Sequence, residues 1–256
     1  MSAPSVVVHR DAAMLARAVA ARLVTRLVDA QSAGSASVVL TGGGIGIAML
    51  EELRENPARD AVDWRRLDVW WGDERFLPAE HPERNETQAR GALLDAVPLE
   101  AARTHPMPAS DGPAGDDPEA AAERYAAELH TATRPEDHGR VPTFDVLLLG
   151  IGAEGHTASI FPESPAAYDD RAVVAVRGAP KPPPTRLTLT FEAINCAAEV
   201  WLLVAGAEKA PIVSLALAGA GRVQVPAAGV HGRRRTLWLL DQAAASELPA
   251  ELRNPW

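Results

Sequence analysis

An unbroken apolar run, Val146 to Leu149, stops at the glycine turn Gly150-Ile151-Gly152, and Glu154, Gly155 and His156 follow at once. A run of that kind reads as a buried strand. A buried strand that opens into a flexible turn carrying a histidine fits an α/β sheet, whose carboxyl edge is where ligands bind. The pattern recurs. Residues 38–40 run into Thr41-Gly42-Gly43-Gly44-Ile45-Gly46, with a helix expected over 47–55. Residues 67–71 run into Gly72-Asp73-Glu74-Arg75. Residues 199–205 run into Gly206-Ala207-Glu208-Lys209, with a helix expected over 210–218 and Pro211 in its first turn.

The remaining segments fit the same plan. Asp11 reads as the cap of a helix over 12–30, whose Leu15, Val19, Leu23 and Leu27 share one face. Asn85 reads as the cap of a helix reaching Ala96, with Glu86 and Arg90 at i, i+4 spacing. Another helix is expected over 118–131, one helical turn over 192–197, and a short surface helix in the alanine-rich tail. Strands are expected at 6–8 (an edge), 173–176, 186–191 and 235–241. Alternating strands and helices specify an α/β fold with a mostly parallel central sheet flanked by helices, Rossmann-like. A single domain over 1–256 is the simplest reading, with a small loop-rich lobe from segments 98–118 and 133–142.

Composition narrows the function classes. Apolar residues make up 47% and charged residues 23%, enough for a sizeable core. The net charge of −9 argues against nucleic acid as a partner. The lone Cys196 excludes a disulfide framework and a multi-cysteine metal site; its apolar neighbours suggest a small core residue. No stretch approaches the roughly 18 consecutive apolar residues of a membrane span. The N-terminal apolar run is too short for a signal peptide, which points to the cytoplasm. Histidines at 9, 81, 105, 130, 138, 156 and 231 are scattered without zinc spacing, so no metal is expected. No GxSxG elbow is present. Gly150, Gly152 and Gly155 do spell GxGxxG, but Pro162 interrupts any following helix and the next strand leads into Arg177, so no dinucleotide cofactor is expected.

Polar groups therefore gather at strand ends: Gly42 to Gly44, Asp73 to Arg75, Glu154 to His156, and Lys209. A strand, a glycine turn and a helix N-terminus make an anion site, because bare backbone N–H groups can converge there and the helix dipole adds positive potential. The absence of Gly-Lys-Ser/Thr separates this turn from a Walker loop. His156 is the general-base candidate, since an ordinary imidazole titrates near about 6.5. Arg186 and Lys209 are candidate phosphate clamps.

These blocks carry a resemblance. LLLGIGAEGHTASIFP resembles the Asp-Gly-His-Thr-Ala-Ser-Leu-Phe-Pro block of the 6-phosphogluconolactonases. WWGDERFLP is similar to their Trp-x-Asp-Glu-Arg block, LTGGGIG to their Ser-Gly-Gly-Ser turn, and RLTLTFEAIN with VAGAEKA to their Arg-x-Thr strand and Gly-x-x-Lys turn. The resemblance implies metal-free hydrolysis of 6-phospho-D-glucono-1,5-lactone, with no cofactor and a sugar phosphate as the small-molecule partner, by a monomer or weak homodimer. It assigns catalytic roles to His156, Asp73, Glu154 and Arg75, and phosphate binding to Thr41, Gly42, Gly43, Gly44, Arg186 and Lys209. Arg75 has three readings: oxyanion stabiliser, phosphate contact, or salt-bridge partner of Asp73. Glu154 stands where aspartate is usual, and Gly44 where serine is common. The alternatives are a glucosamine-6-phosphate deaminase and a non-catalytic sugar-phosphate sensor, which share the superfamily.

Overall fold

A computed structural model of the chain describes residues 3–135, 137 and 140–253; His138 and the last three residues of the tail lie outside them. In chain order the elements are β1 (Ser5–His9), α1 (Ala12–Gln31), β2 (Ala36–Leu40), α2 (Gly44–Glu55), β3 (Leu67–Trp71), β4 (Asp73–Arg75), α3 (Asn85–Ala92), β5 (Thr104–His105), α4 (Pro118–Thr131), β6 (Val146–Gly150), β7 (Val173–Val176), β8 (Arg186–Leu189), α5 (Phe191–Ile194), β9 (Glu199–Val204), α6 (Ala210–Leu217), β10 (Arg235–Asp241) and α7 (Ala250–Arg253).

Seven strands form one parallel sheet in the order β1-β10-β9-β6-β2-β3-β5. Val146, Leu147, Leu148 and Leu149 of β6 are all fully buried. A strand apolar on both faces can lie only where both faces are covered, the usual condition of a parallel sheet. Chain order and strand order part company between β2 and β6. From β2 the chain steps outward to β3 and β5; from β6 it steps the other way, to β9 and β10. Loops leaving these two neighbours diverge and open a crevice between them. Both glycine turns emerge there.

Of the two helix caps expected from the sequence, one is present. Asp11 accepts the Met14 N–H at 2.8 Å. Asp117 accepts from Glu119 and Ala120, with Pro118 at the first helical position. α2 begins three residues earlier than the sequence suggests, at Gly44. Asn85 is the first residue of α3 and not its cap, and the helix ends at Ala92, followed by one 3-10 turn over Leu94–Ala96. Cys196 is half-buried rather than in the core: its thiol contacts the Glu192 carbonyl at 3.2 Å and faces Arg233. Among the described residues, no helix is long and apolar enough to cross a membrane.

A second sheet was not legible in the sequence. β4, β8 and β7 form a three-stranded antiparallel sheet in that order. The stretch Asp73-Glu74-Arg75, which reads as a charged turn, is its β4. Gly72 alone separates β3 from β4 and joins the two sheets. Its N–H donates to the Leu40 carbonyl at 3.0 Å, and its own carbonyl accepts the Leu189 N–H at 2.9 Å.

β5 is only two residues long, so the ladder along β3 runs out at Trp70. The hydroxyl of Tyr125, fully buried on α4, takes over: it accepts the Trp71 N–H at 3.1 Å and donates to the His105 carbonyl at 3.2 Å. A buried N–H left unmatched is costly. Tyr125→Phe should therefore lower stability by about 1–2 kcal/mol in urea unfolding, although it removes one atom.

Candidate active site

The crevice between the two glycine turns is a cleft lined by Thr41, Gly42, Gly43, Asp73, Arg75, Asn85, Gly150, Ile151, His156, Ala158 and Arg186. One wall is the start of α2. Gly43 occupies its cap position at φ 83°, a backbone that suits glycine, and no side chain caps the helix. The N–H groups of the first turn have no intrahelical acceptor, so they and the helix dipole favour an anion at this end.

The floor beside it is Asn85. A Cβ on Gly42 would sit 1.9 Å from Asn85 Oδ1, so glycine is required there by close approach. Asn85 is free to enter the cleft because another group caps α3. The Glu74 carboxylate accepts from the N–H groups of Arg75 (2.8 Å), Asn85 (2.7 Å) and Glu86 (2.9 Å). Burial pushes its pKa up to about 7, against the pull of Arg84 and those N–H groups. Asn85 Nδ2 then donates to the Asp73 carbonyl at 2.8 Å and to Asp73 Oδ1 at 3.3 Å. Its Oδ1 is buried and has no hydrogen-bond partner in the protein. Ser159 Oγ, fully buried, donates to Asp73 Oδ2 at 2.6 Å. Asp73 is thus held from two sides. Arg75 is engaged elsewhere, its Nη1 donating to the Glu83 carbonyl at 2.6 Å.

Arg75 and Arg186 are register partners on the antiparallel strands β4 and β8, and both line the cleft. Like charges directly opposite each other repel. Burial and the nearby Arg75 push the Arg186 pKa down, against the attraction of Asp73. Arg186 is fixed by the carbonyls of Lys181, Pro182 and Pro183 at 3.0, 3.0 and 3.1 Å, and its guanidinium lies 5.7 Å from the Phe161 ring centroid. A pair of cations held this way is an arrangement an anion would relieve.

The opposite wall is His156. Its ring stacks on Phe161, with centroids 4.6 Å apart, and Nδ1 lies 2.9 Å from Glu154 Oε1. Lys181 Nζ meets the other carboxylate oxygen at 2.9 Å. Burial pushes Glu154 up, but Lys181, its own backbone N–H and the imidazole outweigh burial and hold the carboxyl down at about 2. An ionised carboxylate only accepts, so Nδ1 carries the proton and Nε2 keeps its lone pair. Burial lowers the His156 pKa, and Lys181 lowers it too, against the opposing effect of Glu154. The ring is neutral at pH 7. Gly152 makes room for it: a Cβ there would lie 1.9 Å from Nδ1.

Three expected site residues do not line the cleft. Gly44 sits just behind Gly43 as the first residue of α2. Glu154 stands behind His156. Lys209 lies in the turn after β9, with its ammonium 3.9 Å from Glu208 Oε1. Asn85, Ser159, Phe161 and Lys181 are the residues the sequence reading passed over. Ser159 and Phe161 lie within the histidine block itself, Asn85 reads in sequence as a helix cap, and nothing in the sequence marks Lys181 in its proline loop. The GxGxxG string builds no nucleotide turn: no α-helix follows Gly155 before β7, and Thr157 Oγ1 folds back to the Gly150 carbonyl at 3.0 Å.

A family described as glucosamine-6-phosphate isomerases/6-phosphogluconolactonase matches residues 10–238. A 6-phosphogluconolactonase of Streptomyces coelicolor is 61% identical over 254 residues, covering 98% of this chain and 97% of its own. One from Mycobacterium tuberculosis is 48% identical over 248 residues, covering 96% and 99%. Among solved structures, that of 6-phosphogluconolactonase from Trypanosoma brucei matches with a TM-score of 0.82 at 30% identity, covering 96% of this chain and 99% of that one.

Because Glu154 favours the protonated ring, Glu154→Gln should move the NMR titration midpoint of His156 to lower pH. Gly152→Ala should displace the ring and abolish the Nδ1 contact, visible as a changed imidazole shift with the fold retained.

Proposed function

The chain belongs to the family of glucosamine-6-phosphate isomerases and 6-phosphogluconolactonases, and on that basis we propose how its cleft hydrolyses 6-phospho-D-glucono-1,5-lactone to 6-phospho-D-gluconate, the lactonase step of the oxidative pentose phosphate pathway. One observation carries the reading. A neutral histidine with its Nδ1 bound to a carboxylate faces, in a single cleft, an uncapped helix N-terminus and a pair of opposed arginines.

The phosphate lies between the Gly42, Gly43 and Gly44 backbone and the Arg75 and Arg186 guanidinium groups, with the Thr41 hydroxyl beside them. Charge-assisted and bidentate contacts make this the tight end of the substrate. Lys209, on the same sheet edge, adds positive charge nearby. Anchoring the phosphate fixes the ring so that C1 meets a water held by His156 Nε2. The imidazole takes a proton from that water as its oxygen bonds to C1, and a tetrahedral oxyanion forms. Glu154 stabilises the resulting imidazolium. When the oxyanion collapses, the bond from C1 to the ring oxygen breaks, and the imidazolium returns its proton to that leaving oxygen. The immediate product is the open-chain carboxylic acid, which releases its remaining proton to solvent and becomes the carboxylate, and His156 ends neutral. Asp73, held by Ser159 and Asn85, accepts from ring hydroxyls. The half-buried free thiol of Cys196 fits a reducing cytoplasm.

His156→Ala should lower kcat by about 10²–10⁴-fold with little change in KM. Arg75→Ala should chiefly raise KM, by more than Lys209→Ala does. Fresh phosphogluconolactone and glucosamine 6-phosphate, offered in parallel with a spontaneous-hydrolysis blank, check the reaction itself. Ammonia release from the amino sugar would assign a deaminase, and turnover of neither would assign a sensor.

A further inference from the structure

Lys181 stands in a proline-rich loop between β7 and β8, closed by a hydrogen bond from the Ala179 N–H to the Pro184 carbonyl at 2.9 Å. Arg186 gathers three carbonyls of this loop, including that of Lys181 at 3.0 Å, and so fixes the Lys181 backbone. From there Lys181 Nζ reaches Glu154 Oε2 at 2.9 Å, while Glu154 Oε1 meets His156 Nδ1 at 2.9 Å. We propose that Lys181 is a positioning residue that completes a His156–Glu154–Lys181 chain, pinning the carboxylate that aims the base and tying that base, through one loop, to Arg186. The inference rests on His156 acting as the base.

The physical need follows from the length of Glu154. A glutamate held at one oxygen only keeps much of its rotamer freedom, which must be given up for the carboxylate to aim the imidazole. A second anchor on the other oxygen removes that freedom before substrate arrives. Lys181 is 45% exposed, so its ion pair is screened and contributes little to the stability of the fold. The charged groups facing His156 are Glu154 and Asp73, which favour its protonated form, and Lys181, which disfavours it. Arg186 lies across the Phe161 ring on which His156 stacks. Burial is the larger influence holding the ring neutral, and removing Lys181 takes away the cation that adds to it.

The test is Lys181→Met in the full chain, with kcat/KM followed against pH and melting followed in parallel. The expected result is an acid limb displaced to higher pH and a plateau kcat reduced about 2- to 10-fold. Tm should change by about 2 °C or less. Lys181→Arg should restore the limb. An acid limb unmoved in Lys181→Met overturns the inference, whatever happens to kcat, because a mere loop tether would not move the titration. His156→Ala is measured alongside. If it retains full activity, the base assignment itself fails and takes this inference with it. If it is inactive while the Lys181→Met limb is unmoved, only the role of Lys181 fails.

Discussion

Two neighbouring parallel strands whose chains leave in opposite directions set the terms for everything else in this molecule. At the ends of β2 and β6 no connection crosses the gap, so backbone that elsewhere would be paired faces outward. Glycine fills both exits for different reasons. At Gly43 the backbone turns through a positive φ to start α2 without a capping side chain. At Gly42 and Gly152 the reason is contact, since Asn85 and His156 lie where a side chain would be. The same edge thus supplies an anion-friendly helix end on one side and space for an imidazole on the other.

Charge is then placed against the general sign of the protein. A chain of net charge −9 presents two arginines to one another across adjacent strands, and one of them is buried enough for its pKa to fall. Holding like charges together is unfavourable unless a doubly charged ligand comes between them, and an acidic surround makes such a pocket selective by contrast with its neighbourhood. The carboxylates nearby are all engaged: Asp73 by Ser159 and Asn85, Glu74 by three backbone N–H groups, Glu154 by Lys181 and His156.

Much of this was legible because parallel strands announce themselves as apolar runs and α1 carries its cap, Asp11. The parallel character of the main sheet and the placing of Gly42, Gly43, Asp73, Arg75 and His156 at its carboxyl edge followed from strand ends, whereas the two-residue β5 lies in a segment that reads as loop. What failed to show did so for local reasons. β4 is three residues long and reads Asp-Glu-Arg, so no periodicity marks it as a strand, and Glu74 looks solvated when it is fully buried. Asn85 looks like a cap because the group that caps α3 comes from a different strand. Lys181 is set by a tertiary contact with Arg186 that no spacing encodes, and Lys209 turns toward Glu208 outside the cleft lining.

Gly72 gives the cleft its mechanical character. One residue carries the chain from the parallel sheet into the antiparallel one, and its two backbone groups bond one strand of each. Asp73 and Arg75 on β4, with Arg186 on the adjacent β8, are therefore mounted on the same rigid frame as the strands that carry the glycine turns. With both of its backbone groups bonded, this single residue leaves little free chain at the seam between the two sheets. Groups mounted on one hydrogen-bonded frame have less to order when a ligand arrives, so more of the entropic cost of association falls on the ligand.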